Sequence, residues 1–509
     1  MKKIYLALFS LFFVLVSCNM ELTPEGEILD EKSLETTDDY EKFCVGISSQ
    51  MRSLTSGDYV VLSDIQLDDF HAVIGNGNRR MEFYNGSINP STGEIASYYS
   101  AFYNTIAQAN FFLQNAETHL SQPSLTPDNK ARMRFYVGQV LFYRAFCYYC
   151  LADKFCGSYK NAQNVDEEGK GLSLQLTYSP TANNAVYPGR SSLKATYSQI
   201  CNDLDSALVK LEAVETATGL SDYQPVQPKP NCPYITSDAV KAMQARVFLT
   251  MGKDEQALKK AEEVLRSGRY SLTERNAFKN LWTSDNGAEV IWLVEADFTY
   301  HGSASGEAFA SNTSNADFAP TSDCILLFDE NDTRWANWFE EITIVNSGGS
   351  ASSYRFMKYP GNSSLYASAA GSNFVNKAKP LRLSEMYLIA AEASFNTMDE
   401  SKALNYLNMM MSTRISNYRS KTLTGNALLT AIQDERHREL IGEGLRLGDL
   451  KRWNQGFTRG EEWENTGNVI ISSNRNLHYD ADDYRLTWPI PKHEMDANPQ
   501  LKGQQNRGY

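Results

Sequence analysis

Two stretches of the chain combine aromatic rings with amide and charged side chains, a mixture suited to ligand binding. Rings pack against the apolar face of a sugar or against a peptide side chain, and Asn, Asp and Arg make directional hydrogen bonds. The stretches span residues 57–96 and 275–380. The candidate ligand-binding residues are Asp64, His71, Asn78, Arg79, Arg80, Phe83, Tyr84, Trp282, Tyr300, His301 and Phe318. The alternative is core packing for each ring and a solvated pair for the two adjacent arginines.

The sequence contains none of the common catalytic motifs that we searched for. The chain has no glycine-rich phosphate loop followed by Lys and Ser or Thr, and no Gly-x-Ser-x-Gly elbow. The six histidines lack metal-binding partners at helical spacing, so we predict neither a metal site nor a cofactor. Asp68-Asp69 and Asp482-Asp483 are adjacent carboxylates, and a glycosidase needs two carboxylates about 5 to 10 Å apart. The sequence predicts a binding protein, with a glycoside hydrolase as the open alternative.

The charge balance excludes one class of partner. The chain has 509 residues, with 48 Lys and Arg against 61 Asp and Glu, and a formal net charge of −13. Binding to phosphate groups needs a cationic surface. We therefore expect neither nucleic acid nor an anionic lipid surface as the main partner. The hydrophobic content of 42% is enough for a folded core.

The N-terminus has the pattern of an export signal. Two lysines precede an apolar run over residues 4–16. This run is shorter than the roughly 20 residues that a membrane-spanning helix needs. The small residue before Cys18 resembles a bacterial lipoprotein cleavage box, which predicts removal of residues 1–17 and lipidation of Cys18. Residues 18–37, rich in Glu, Asp and Thr, are predicted to form a flexible tether. The alternative is an ordinary signal peptide with an incidental cysteine.

Seven further cysteines remain, an odd number, so at least one is not in an intrachain disulfide. Cys147 and Cys150 have the spacing of a metal or redox motif. They lie in an aromatic helical run without a nearby histidine, so we predict buried apolar thiols.

Apolar residues at helical spacing predict helices over residues 38–56, 97–116 and 194–212. A further long helix begins with Thr126 as N-cap and Pro127 in the first turn. Residues 57–96 are predicted to be non-helical.

Two helical hairpins are predicted, over residues 237–266 and 384–411. Aligning Ala245 with Ala391 also aligns the alanines twelve residues further on, at a constant offset of 146. Small residues at this spacing let two helices approach closely and look like the tetratricopeptide pattern. The segment between the hairpins, residues 275–380, is rich in Gly, Ser, Asn and Ala, and predicts long functional loops with a few short strands.

A charge-dense run covers residues 434–453. Its spacing predicts a structural helix with ion pairs between residues four apart and with leucines facing inward.

Several segments together resemble the SusD/RagB family, the surface lipoproteins of nutrient uptake in Bacteroidetes-type bacteria. The resemblance covers nearly the whole chain. Besides the cleavage box at Cys18, it is carried by YSQICNDLDSAL (197–208), ITSDAVKAMQARVFLTMGKDEQALKKAEEVLRSGRYSL (235–272), KPLRLSEMYLIAAEA (379–393), IQDERHRELIGEGLRLGDLKRW (432–453) and WPIPKHEMDANPQLKGQQNRGY (488–509).

The resemblance implies a mostly α fold, a tetratricopeptide-like hairpin scaffold with a loop-rich insert carrying a few short strands. It implies one SusD-like domain over residues 38–509, with hairpins within about 97–270 and 380–453 and a ligand face built from about 57–96 and 275–380. It also implies a lipid-anchored protein at the outer membrane, facing the cell exterior. Its implied partner is a SusC-like TonB-dependent transporter, which meets the helical face and which the lipoprotein covers as a lid.

Four functions stay open. The first is capture of oligosaccharides for delivery to the transporter, and the second is binding of oligopeptides by a member of the same family. The third is a lipid-anchored glycoside hydrolase, and the fourth is an adhesin or assembly protein.

Overall fold

The computed structural model describes residues 33–311, 315–366 and 373–509. The predicted signal peptide, the lipidation site Cys18 and most of the tether lie outside these ranges. The fold is mostly α, as predicted, with a few short strands. None of the helices within the described ranges is both long and apolar enough to cross a bilayer.

The described helices are, in chain order, α1 (Thr37–Leu54), α2 (Asp58–Gln66), α3 (Met81–Tyr84), α4 (Gly93–Leu120), α5 (Pro127–Phe155), α6 (Leu193–Glu215), α7 (Ser237–Thr250), α8 (Asp254–Arg266), α9 (Phe278–Thr283), α10 (Ser322–Leu326), α11 (Thr333–Trp338), α12 (Leu383–Asn396), α13 (Glu400–Arg414), α14 (Gly425–Leu440), α15 (Arg446–Trp453) and α16 (Lys492–Ala497). The strands are β1 (Phe70–Ala72), β2 (Val290–Trp292), β3 (Phe318–Pro320), β4 (Phe339–Asn346), β5 (Gly349–Phe356), β6 (Leu381–Arg382), β7 (Phe457–Thr458) and β8 (His478–Tyr479). They form four antiparallel pairs, β1–β3, β2–β6, β4–β5 and β7–β8.

Helix α5 is the centre of the first helical layer, because it packs against α1, α4 and α6. The hydroxyl of Thr126 accepts a hydrogen bond from the Asn129 backbone N–H, and Pro127 is the first helical residue, as predicted. Neighbours on several sides explain why α5 is apolar around most of its circumference. Burial raises the pKa of the Cys147 thiol well above its ordinary value, which disfavours the thiolate that binds metal. All seven described cysteines are free thiols.

The two predicted hairpins are α7–α8 and α12–α13, and they stack although a long insert separates them in sequence. Helix α8 packs against α12. The amide of Asn396 donates to a carboxylate oxygen of Asp254 at 2.9 Å, and the hydroxyl of Tyr406 donates to Glu262 at 2.8 Å. The four aligned alanines are completely buried, which allows the close helix contacts that their spacing predicts.

One prediction about the loops is wrong. Residues 57–96 contain α2 and α3, since burial of Val61, Leu62 and Ile65 stabilises a short helix. The insert carries a few short strands, as predicted, and β4 and β5 form a hairpin of two eight-residue strands. Cross-strand pairs such as Ile344 with Ala351 stabilise this hairpin, because pairing overrides the weak strand propensity of a Ser-rich segment.

A buried ionic network joins the insert to the helical hairpins. Glu439 on α14 accepts hydrogen bonds from three arginines that lie on separate elements: Arg334, Arg382 and Arg414. Each of these four side chains is at most 1% exposed. The charge-dense run is therefore structural, but it is divided between α14 and α15. Its carboxylates bridge distant elements and also pair with arginines three residues away, Glu435 with Arg438 and Asp449 with Arg452.

Candidate ligand-binding groove

The early segment and the insert, predicted to form one ligand face, are adjacent in the structure. Strands β1 and β3 pair across them. The hydroxyl of Ser305 accepts a hydrogen bond from the backbone N–H of Gly57 at 2.9 Å. The hydroxyl of Ser56 accepts one from the backbone N–H of Ser303 at 2.8 Å. These contacts hold the two segments side by side at the C-terminal end of α1.

Two glycines permit this close approach. Gly57 begins α2 with a φ of +58°, a conformation that favours glycine. A Cβ atom on Gly302 would lie 2.3 Å from the carbonyl oxygen of Arg52, so any side chain there would push the insert away from α1.

A groove of about 740 Å³ lies along this junction. Its volume falls in the range of about 300–1,000 Å³ that is typical of ligand sites. We call it the junction groove. Its polar, charged and aromatic lining residues are Ser53, Ser56, Ser97, Ser303, Asp58, Arg80, Glu94, Glu307 and Tyr59.

The charges of the junction groove are mostly paired. The Nη2 atom of Arg80 lies 2.6 Å from a carboxylate oxygen of Asp58. Arg79, just outside the groove, donates to the carbonyl oxygen of Glu307 at 2.7 Å and lies 3.2 Å from a carboxylate oxygen of Asp317. Three carboxylates and one guanidinium line the groove, so its charge disfavours an anionic ligand.

An aromatic loop precedes the groove wall formed by Ser303. Phe298 is 54% exposed and Tyr300 is 64% exposed. A carboxylate oxygen of Asp297 accepts hydrogen bonds from the backbone N–H groups of Thr299 and Tyr300, at 2.8 and 2.7 Å. The bonds from Tyr300 and Thr299 lower the pKa of Asp297, so the turn is stable at neutral pH. The loop therefore presents two rings from a fixed turn.

The predicted site residues separate into two groups. Tyr300, His301 and Asn78 are exposed, and Arg79 and Arg80 are half-buried. The other six are at most 3% exposed: Asp64, His71, Phe83, Tyr84, Trp282 and Phe318. These six are closed off from a ligand in the groove and adopt the core-packing alternative. Phe83, for example, packs edge-on against Trp488 with ring centroids 5.3 Å apart.

Trp282 belongs to a separate internal cavity of about 100 Å³. Its ring centroid lies 4.8 Å from the ammonium groups of both Lys358 and Lys379. The cavity is too small for an oligosaccharide. Tyr59 lines both this cavity and the junction groove.

Burial changes the titration of two predicted residues. Desolvation, and secondarily Arg459, lowers the pKa of His71 to about 4, so its imidazole is neutral. Desolvation, and secondarily the charge of Asp69, raises the pKa of Asp64 to about 7. Asp64 accepts from the backbone N–H of Gly444 at 2.8 Å, and its other oxygen has no partner among the described residues. Asp64 is thus a buried structural group.

We predict that Asp64→Asn is more stable than the wild type at pH 8, by about 1 to 2 kcal/mol. The raised folded-state pKa means that the stability from protonated Asp64 is present below about pH 4 and is lost as the pH rises through 7. Urea unfolding followed by circular dichroism at pH 5 and pH 8 measures this. An advantage of the variant that is equal at both pH values would contradict the prediction.

Sequence reasoning missed Asp58 and Tyr59 in the groove and Phe298 in the aromatic loop. The apolar spacing of Val61, Leu62 and Ile65 is a helix signal that would have placed Asp58 and Tyr59 in the first turn of α2.

Within the described residues, one group offers three potential metal ligands within 4.8 Å of one another: Asp68, Asp69 and His437. The imidazole of His437 already lies 2.8 Å from Asp69, and the guanidinium of Arg446 lies 2.7 Å from Asp68. These contacts already occupy carboxylate oxygens of both aspartates, and the arginine repels a cation.

Two family models match the chain. The model described as the SusD family matches residues 331–509, and the model described as "Starch-binding associating with outer membrane" matches residues 44–249. A curated relative, SusD-like protein P2 of Formosa agariphila, is 24% identical, and the alignment covers 100% of each chain.

Solved structures share the fold. A SusD superfamily protein from Bacteroides thetaiotaomicron superposes with a TM-score of 0.76 at 24% identity, covering 93% of this chain and 100% of the other. A putative sugar binding protein from Bacteroides vulgatus gives 0.75 at 24% identity, covering 94% and 100%. A laminarin-binding SusD-like protein gives 0.66 at 21% identity, covering 93% and 100%.

Proposed function

Because this chain belongs to the SusD family, we propose that it captures neutral oligosaccharides in the junction groove and does not cleave them. One observation carries this proposal. A groove of about 740 Å³ is lined by four serines, and one of them, Ser303, lies three residues after Tyr300 in the segment that carries two exposed aromatic rings. Sugar rings have apolar faces that stack on aromatic rings, and hydroxyl groups that both donate and accept hydrogen bonds.

The comparisons support a carbohydrate ligand. One matching family model is described as starch-binding, and one structure of the same fold binds laminarin. Both starch and laminarin are neutral glucans, and the groove has no cationic surface for an acidic polymer. Oligopeptide binding is the alternative within the same family.

Binding without hydrolysis is supported by the groove carboxylates. Asp58 forms an ion pair with Arg80. The side chains of Glu94 and Glu307 are both exposed to solvent. A glycosidase acid usually lies in an apolar environment, which the exposed Glu94 and Glu307 do not have.

The proposed location follows from the N-terminus and the family. Lipid on Cys18 anchors the protein to the outer membrane facing the exterior, and one family model is described as associating with the outer membrane. The proposed partner is a SusC-like TonB-dependent transporter that receives the ligand. Affinity purification from outer membranes in mild detergent is expected to co-isolate such a transporter. Isolation of the lipoprotein alone would contradict the delivery step.

The function is tested by applying the purified lipoprotein, in detergent, to arrays of neutral glycans, acidic glycans and peptides. We expect retention of neutral glycans, including laminarin or starch fragments, and chromatography of the bound glycan should show an unchanged chain length. Binding of peptides together with no binding of any glycan favours the oligopeptide alternative. Shortened products that disappear in a single Asp or Glu variant would establish a hydrolase.

A further inference from the structure

A second pocket, of about 390 Å³, lies at the C-terminal end of α5 and shares no lining residue with the junction groove. The loop over residues 157–170, the end of α15, residues 481–487 and the C-terminal residues 505–507 form its walls. We call it the C-terminal pocket. Its volume also falls in the typical range of ligand sites.

Arg190 holds the walls of this pocket together. Its five N–H groups donate to the backbone carbonyls of Gly171, Gln504, Phe155 and Lys170 and to the side chain of Asn506, at 2.7 to 3.2 Å. One buried guanidinium therefore links three separated parts of the chain, and the pocket is built before any ligand arrives.

Two further side chains fix the floor. The amide of Asn506 donates to the carbonyl oxygens of Phe155 at 2.9 Å and Trp488 at 2.6 Å. The ammonium group of Lys451 donates to the carbonyl oxygen of Cys156 at 2.9 Å, at the end of α5. Both groups donate to backbone carbonyls, so they hold the walls of the pocket together.

Other lining side chains have unused hydrogen-bonding capacity. The side chains of Gln163, Asn454, Asp482 and Arg507 line the pocket and make no hydrogen bond or ion pair with any other described residue. The amides of Gln163 and Asn454 each donate and accept, which matches the behaviour of a hydroxyl group.

The pocket also has a positioned aromatic ring. Tyr484 is 39% exposed and packs edge-on against Tyr509, with centroids 5.0 Å apart. A Cβ atom on Gly508 would lie 2.2 Å from the Tyr484 ring, so the backbone closes tightly on that ring. The ring is held in place while part of it stays open to a ligand.

We propose that the C-terminal pocket is a second carbohydrate site, which takes a neutral polyhydroxylated ligand such as the end of an oligosaccharide chain. The two charged side chains without a partner among the described residues, Asp482 and Arg507, have opposite signs. Amides beside one fixed ring suit hydroxyl groups and a sugar face. The ligand class rests on the proposed function, but the site itself does not depend on the junction groove.

The test uses isothermal titration of the lipoprotein with the neutral oligosaccharide that gives the strongest array signal, and with laminarihexaose as a fixed probe. The pocket variant is Gln163→Ala with Asn454→Gly and Asp482→Ala, since these exposed residues anchor no core. Glycine suits position 454, where φ is +55°. Tyr484→Ala is a second, independent variant. Tyr234→Ala, an exposed tyrosine outside both sites, is the control.

The pocket changes are introduced into a protein that already carries Phe298→Ala and Tyr300→Ala, which disable the groove. We expect this protein to bind the oligosaccharide at least tenfold more weakly than the protein with the groove changes alone. We expect Tyr484→Ala to do the same. Absence of residual binding in the groove variant, or residual binding that the pocket changes leave unaltered, would overturn the second site while the groove proposal stands. Loss of all binding in the pocket variant, with no effect of the groove changes, would support the second site and contradict the groove. A wild type that retains no glycan would overturn both.

Discussion

Replacing Glu439 with alanine is expected to lower the free energy of unfolding by about 3 to 5 kcal/mol. Three buried arginines, Arg334, Arg382 and Arg414, share this carboxylate. Without it they keep their charges in a region that water does not reach. Because these arginines come from the insert, from β6 and from the end of α13, the loss weakens the connection between the insert and the helical scaffold.

The same carboxylate predicts a dependence on pH. Burial raises the pKa of Glu439, but Arg414, Arg382 and Arg334 outweigh burial and hold it well below its ordinary value. This contribution to stability is present above the unfolded pKa of about 4.3 and is lost as the pH falls through the folded value. The difference between wild type and Glu439→Ala should therefore shrink in strong acid.

Urea unfolding followed by circular dichroism at pH 7 measures the effect. The matched control is Asp496→Ala, which removes an exposed carboxylate that pairs with Lys492 at 2.9 Å. Exposed pairs contribute about 0 to 1 kcal/mol, so the control should unfold close to the wild type. A loss of less than about 1 kcal/mol for Glu439→Ala would contradict the structural role of the network.

Replacing Phe298 and Tyr300 together with alanine is expected to weaken oligosaccharide binding at least about 30-fold, which corresponds to about 2 kcal/mol. Both rings are exposed and fixed by the Asp297 turn, so they can stack on a sugar without first being ordered. The fold should not change, because neither side chain is part of the core.

Three comparisons make this result specific. Tyr234→Ala removes an exposed ring outside the groove and should bind as the wild type does. Asp297→Ala keeps both rings but releases their turn, so we expect an intermediate loss. Unchanged melting temperatures show that the effect is local. Equal affinities for the wild type and the double variant would remove the aromatic loop from the site.

Helices were predictable from the sequence where one face is apolar. The spacing in residues 237–266 and the alanines at an offset of 146 predict both hairpins, because helix packing depends on local periodicity. The hairpin of β4 and β5 was not predictable, since its stability comes from cross-strand contacts in a segment with loop-like composition.

The proximity of the early segment to the insert was predictable as a region, but the exposure of each residue was not. A ring in a Gly- and Ser-rich segment can be exposed, as Tyr300 is, or buried, as Phe318 is, and composition does not distinguish them. Phe318 lies on β3, whose pairing with β1 follows from contacts about 250 residues apart in sequence. The charge-dense run shows the same limit, since the partners of Glu439 lie on distant elements.

Neutral oligosaccharides are proposed to bind in the junction groove and to be released without cleavage. The most direct measurement is titration calorimetry of the wild type and of the Phe298→Ala/Tyr300→Ala variant with one array-selected oligosaccharide, followed by chromatography of the incubated mixtures. We predict at least about 30-fold weaker binding by the variant and an oligosaccharide of unchanged length in both mixtures. Equal affinity, or shorter products in the wild-type mixture, would contradict the claim.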